Sequence, residues 1–211
     1  MLTTTLTAVW KDAPLGRKRW KHLLEGLGVT EADEAPLPLE RILDINGLDD
    51  ALWALRSLEA YNRAARLFAC NCAKLALPVF ERAYPEDKRP RMAVETAELF
   101  AQGETTAEKL ADAEKAAEAA VNAAEQAKAR ESVRLAAKSA ACAAQRDIEF
   151  GAAWAAENAA RAMDDAVDAA AWSREKSAAW TALIGEFRLL CRLGGPYSAI
   201  LAKKAGVSAD A

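Results

Sequence analysis

The residues able to do covalent or metal chemistry are few in this chain and badly placed for it. His22 is the only histidine, and a single imidazole cannot complete the usual zinc or di-iron ligand sets. The four cysteines are Cys70, Cys72, Cys142 and Cys191. They lack the even spacing of a disulfide framework. Cys70 and Cys72 lie two apart on an expected helix, so their side chains diverge by roughly 200° and do not share a metal. They are expected to be reduced, buried thiols of a cytoplasmic protein. His22 stands in a basic segment with no serine or cysteine beside it, so no nucleophile and base are paired in sequence. No GxxxxGK phosphate loop occurs. No catalytic residue, metal or cofactor is expected.

What remains is the chemistry of recognition, charge and aromatic surface. Glu157, Asp164, Asp165 and Asp168 fall within one broad helical face, an electrostatic docking face for a basic partner. A solvated face is the competing reading, and Arg161 can neutralise part of it through pairs with Asp164 and Asp165. Two alternative partner-binding sets are Asp49, Asp50 and Arg56, and Asp87, Arg89 and Arg91. Asp49, Asp50 and Asp87 also suit the positive ends of helices, and capping outweighs binding for the last set. Arg17, Lys18, Arg19, Trp20 and Lys21 make a basic, aromatic-containing segment that could meet phosphates. A formal net charge of −3 argues against a protein that coats nucleic acid.

The elements that must position these groups are helices throughout. Leu15 to Leu27 reads as an amphipathic helix with Trp20, Leu23, Leu24 and Leu27 on one side and the cations on the other. Before it, residues 1–14 read as a loosely fixed start with no secretion signal. After it, the run VTEADEAPLP is acidic and proline-containing, the best linker in the chain. Leu39 to Ile45 is a short helix closed by an Asn46-Gly47 turn, and Asp49 and Asp50 open the next.

The densest apolar face lies between Arg66 and Thr106. From an N-cap at Asn62, Phe68, Cys72, Leu75, Val79 and Ala83 recur on one helical face, widened by Leu67, Cys70, Ala73 and Leu77. Pro78 is expected to kink or end that helix. A second helix runs from Pro90 to Gln102 with Ala93, Ala97 and Phe100 inward, stopped by Gly103. Thr105 and Glu108 read as a capping box for a third.

From Ala107 to Ala182, 31 of 76 residues are alanine and Gly151 is the single glycine. Alanine is the best helix former, but one straight helix of that length would span about 114 Å. The span must therefore fold back, with breaks at Ala129 to Val133, at Asp147 to Gly151 and near Ser173, giving helices of about 18 to 24 residues. Trp154, Trp172 and Trp180 are expected as core knobs among the alanines. Ala178 to Leu193 closes the pattern with Leu183, Phe187, Leu190 and Cys191 at core spacing, ended by Gly194-Gly195-Pro196. The expected architecture is an all-α antiparallel helical bundle with long alanine-rich helices. Residues 1–35 hold the basic helix and acidic linker, 36–195 the bundle and 196–211 a tail. No stretch is long and apolar enough for a membrane span.

The segments NGLDDALWALR (Asn46 to Arg56) and RLFACNCAKLALPVFERAYPEDKRPRMAVETAELFAQGETT (Arg66 to Thr106), with the Ala/Trp-rich helices after them, resemble a bacterial family of immunity proteins. The resemblance covers roughly Leu39 to Leu193. Such proteins are associated with polymorphic toxin systems and neutralise a cognate toxin by binding it. The resemblance therefore implies a non-enzymatic inhibitor acting on a toxin or, if phage-borne, on a host defence effector. Two other classes compete. A nucleic-acid-associated protein would use Arg17 to Lys21 and bind with steep salt dependence. An architectural oligomer would associate only with itself, and a homodimer stays open.

Overall fold

The computed structural model describes residues 1–58, 61–146, 148, 150–164 and 177–193. It is all-α apart from one ladder of two-residue strands. The helices are α1 (Leu6–Asp12), α2 (Arg17–Leu27), α3 (Leu39–Asn46), α4 (Leu48–Ala54), α5 (Tyr61–Ala83), α6 (Arg89–Gln102), α7 (Ala107–Gln126), α8 (Glu131–Ala144), α9 (Gly151–Met163) and α10 (Ala178–Leu193). A 3₁₀ turn at Leu55–Ser57 follows α4. Among the described residues no helix is long and apolar enough to cross a membrane.

The chain divides into two compact units. The first takes Met1–Ala64 together with the chain from Phe187 onward. Its start is not loose, contrary to expectation. Thr3–Thr4 (β1) pairs antiparallel with Leu37–Pro38 (β2), the Thr5 hydroxyl caps α1 by accepting from the Ala8 amide at 3.0 Å, and Leu6 and Val9 bury one face of that helix. A three-residue spacing of two apolar side chains and one threonine cap are enough to order the segment. Leu23 of α2, Leu39, Ile42 and Leu43 of α3 and Phe187 and Leu190 of α10 are buried in the same unit. The backbone closes on itself where the Leu2 amide donates to the Cys191 carbonyl at 2.6 Å.

The second unit, Ala65–Glu186, is a stack of antiparallel helices. The α5–α6 turn is tied by ion pairs described below, and α6 ends at Gly103, whose φ of 81° suits glycine's freedom in the left-handed region. The cap of α7 is Thr106, which accepts from the Lys109 amide at 3.4 Å. The expected cap at Thr105 is thus one residue early: Thr106 has the extended backbone of a cap and its hydroxyl makes the capping bond. The breaks between α7 and α8 and between α8 and α9 come one to three residues before those expected at Ala129 to Val133 and Asp147 to Gly151. At 14 and 13 residues, α8 and α9 are shorter than expected. The break placed near Ser173 lies outside the described residues.

Two expectations for α5 change. The helix runs through Pro78 to Ala83. Pro78 and Lys74 share an exposed side, so water can take the carbonyl that loses its partner. Its buried face is also rotated. Leu67, Phe68, Cys70, Cys72, Ala73, Ala76, Leu77 and Phe80 are buried, whereas Leu75 is exposed. Of the expected face Phe68, Cys72, Leu75, Val79, Ala83, the first two are buried, but Leu75 and Ala83 are exposed, and Ala73, Ala76, Leu77 and Phe80 carry the burial instead.

Candidate partner-binding surface

In the first unit, the charged residues singled out from sequence meet one another. The Arg19 guanidinium donates to Asp50 Oδ1 at 2.8 Å, and the Asn46 amide donates to Asp50 Oδ2 at 2.8 Å. Asp50 is buried while the Arg19 side chain stays largely exposed. Residues expected on two different binding surfaces thus form one link between α2 and α4. Asp49 remains exposed beside them, where Lys18 and His22 line a shallow depression, and a His22 ring nitrogen lies 3.0 Å from the Ile45 carbonyl. Lys21 pairs with Glu25 at 3.6 Å. Trp20 is half-buried against Trp10, with ring centroids 5.1 Å apart, and the Arg56 guanidinium lies 4.4 Å over the Trp53 ring. Arg17 and Lys18 are exposed.

In the second unit, Asp87 and Arg89 form a bidentate pair at 2.9 and 2.6 Å, and Asp87 also accepts from the Arg89 amide at 3.1 Å. Arg91 holds Glu81 in the same forked way at 2.5 and 2.7 Å. These bonds hold the Glu81 and Asp87 carboxyls below their ordinary pKa values, hydrogen bonding from the arginine being the main cause. The set therefore staples the α5–α6 turn.

Two residues of the expected acidic face, Glu157 and Asp164, are among the described residues. Glu157 lies on the helix, and Asp164 is its C-cap residue and accepts from the Ala179 amide at 3.3 Å. Asp165 and Asp168 lie outside the described residues, as does Trp172. Arg161 reaches Glu131 of α8 at 3.6 Å.

The decisive correction concerns Trp154. Trp180 is buried as expected, but Trp154 is 55% exposed. On α9 the buried positions are Gly151, Ala152, Ala155, Ala156, Ala159, Ala160 and Ala162. Those small residues let α9 press against α8, as Gly151 shows: a Cβ there would come 2.8 Å from the Cys142 carbonyl oxygen. Trp154 falls out of phase with that stripe, on the outer side with Phe150 one turn before it, also exposed, and Glu157 one turn after. The signal was in the sequence, since an alanine face repeating at three and four leaves position 154 outside it.

Trp154 forms one wall of an open groove of about 460 Å³ between α7, α8 and α9. Val121, Ala141 and Cys142 give it an apolar floor, and Glu118, Lys138 and Glu157 stand at its rim. The Asn158 amide points at the Cys142 sulfur, 3.8 Å away. Burial pushes that thiol up to about 11, so it is protonated at neutral pH and presents an apolar, unreactive floor. Among the described residues no group of three or more His, Cys, Asp or Glu is placed to hold a metal. The arrangement sets an exposed aromatic beside a shallow apolar recess with charges around it, a composition that suits protein contacts.

A family model described as "Imm-5 like putative immunity protein" matches residues 58–181, more than half of the chain. The chain belongs to this Imm-5-like immunity family. The match takes in Arg66 to Thr106 and the alanine-rich helices with the Trp154 groove, and leaves out Asn46 to Arg56. No curated protein and no solved structure matches the chain.

Proposed function

We propose that this member of the immunity family neutralises a protein toxin by binding it one to one through the Trp154 groove and occluding the toxin's working surface. The observation that carries the reading is the exposed indole of Trp154 standing over an apolar recess inside the family-matched segment. Tryptophan is the residue type most concentrated in binding hot spots. Glu118 and Glu157 on the rim favour a target that presents an arginine or lysine, which can stack on the indole while pairing with a carboxylate. Inhibition of this kind needs a rigid, preformed surface and no chemistry of its own. The basic helix is the weaker candidate for an interface, because Arg19 is spent on Asp50 and Trp20 on Trp10.

The test is capture of the target with a tagged chain at two salt concentrations, followed by Trp154→Ala and Glu157→Lys. Trp154→Ala should lower affinity by about 2 kcal/mol or more with the helical circular dichroism unchanged. Undiminished binding and protection in both variants would rule the groove out as the contact.

A further inference from the structure

Gln145 lines the Trp154 groove and is also the residue at which the chain leaves α8. Its φ of −53° and ψ of 137° lie outside the helical region, and its amide makes a long bond of 3.4 Å back to the Cys142 carbonyl. The last carbonyls of a helix lack intrahelical donors. A groove of fixed shape therefore needs donors from outside α8 at this end.

Arg66 of α5 supplies them. Its guanidinium reaches the Ala143 carbonyl at 3.0 Å, the Gln145 carbonyl at 2.8 Å and the Arg146 carbonyl at 3.1 Å, so one planar fork fixes the whole exit from the helix. The Glu114 carboxyl of α7 accepts from the Arg146 backbone amide and favours the guanidinium's charge. The same end of α8 sets where the indole stands. A Cβ on Gly151, the first residue of α9, would lie 2.8 Å from the Cys142 carbonyl oxygen and 3.1 Å from Gln145 Oε1. Helix α9 thus begins against the residues that Arg66 holds, and Trp154 follows within one turn. The middle of α9 is pinned separately, where the buried Ser139 hydroxyl donates to the Ala155 carbonyl at 2.7 Å.

We infer that Arg66 is a positioning residue for target binding, an inference that rests on the groove being the contact surface. At 2% exposure it meets no target itself. It fixes the Gln145 side of the groove and the start of the helix that carries Trp154.

The experiment uses the full chain labelled with 5-fluorotryptophan, in which Trp154→Phe assigns the Trp154 fluorine resonance among the six tryptophans. Arg66→Met should shift or broaden that resonance, and Arg66→Lys should do so less, because the ammonium keeps the charge without the fork. Leu77→Ala is the control for lost stability. It opens a cavity at a buried position about 16 Å along α5 from Arg66, and should leave the resonance in place. Against the captured target, Arg66→Met should lower affinity about tenfold, and should cost little more when added to Trp154→Ala. A Trp154 resonance unmoved in both Arg66 variants, or moved equally by Leu77→Ala, would overturn the inference and leave the groove standing as the contact. Costs that add fully in the double variant would show Arg66 acting elsewhere than through Trp154. Full affinity in Trp154→Ala would instead remove the groove as the contact, and Arg66's role in binding with it.

Discussion

Replacing Arg66 with methionine should be the most destabilising single change in the second unit that leaves side-chain length intact. Arg66 is 2% exposed, and the Glu114 carboxylate is near enough to favour its charge. Its guanidinium donates to the Ala143 carbonyl at 3.0 Å, the Gln145 carbonyl at 2.8 Å and the Arg146 carbonyl at 3.1 Å, and lies 5.2 Å over the Phe100 ring. It thereby caps the C-terminus of α8, where carbonyls lack intrahelical partners and the helix dipole is negative. Hydrogen bonds to a charged group contribute about 1.5–3 kcal/mol each, so the three give roughly 5–9 kcal/mol gross. Methionine avoids dehydrating a guanidinium, which offsets several kcal/mol. A net loss of about 3 kcal/mol remains, chiefly from carbonyls left without donors. Urea unfolding followed by circular dichroism and tryptophan fluorescence should show a midpoint lower by about 1 M. Arg66→Lys should fall between, because an ammonium carries the charge but not the planar fork. A midpoint unchanged in Arg66→Met would refute the assignment of the cap, whatever the lysine variant does.

Three further outcomes are expected. Gly151→Ala should cost about 1–3 kcal/mol by overpacking, because its Cβ meets the backbone oxygen of Cys142; its thermal midpoint is the measurement. Asp50→Asn should cost about 1–2 kcal/mol through loss of the charged acceptor shared by Arg19 and Asn46, read as a lower urea midpoint that high salt does not restore. Acid should destabilise the fold through Glu81 and Asp87. Their folded pKa values are lowered, so their contribution is present above the ordinary values of 4.5 and 3.8 and is lost as pH falls through the lowered ones. Glu114 acts oppositely: burial raises its pKa, so protonation on the acid side favours the fold. Glu81→Gln should therefore flatten, and Glu114→Gln steepen, the fall in unfolding midpoint between neutral and acidic pH.

The helices were legible from sequence because this chain marks its boundaries with residues of narrow backbone preference. Gly103 suits a left-handed turn, Pro90 suits an early helical position, and charged residues at 128, 130 and 146 interrupt otherwise alanine-rich sequence. Periodicity was weakest where alanine made every face look alike. On α9 the alanines are the core and Trp154 is the surface, the reverse of what size alone suggests. Side-chain size is a poor guide where helices approach closely, since close approach excludes large residues. The electrostatic pairs were legible only as loose charges: nothing in the spacing of Arg19 and Asp50, or of Arg66 and the end of α8, says that they meet. Those are tertiary contacts across 31 and about 80 residues. Buried Arg66 was not singled out at all, although an arginine within an apolar helical run was the available sign.

The meeting of the Leu2 amide with the Cys191 carbonyl has a consequence for synthesis. The unit built from both chain ends needs its last helix, so Ala64 leaves the ribosome well before Phe187 has been made. At about 5–20 residues per second the wait is roughly 6 to 25 s. During it Leu23, Leu39 and Ile42 lack the Phe187 and Leu190 side chains buried in the same unit, while the family-matched helices between can already assemble. Translation should therefore deliver a finished central bundle carrying an unfinished amino-terminal segment. A nascent chain arrested before residue 187 would expose that segment to protease and protect α6 to α9.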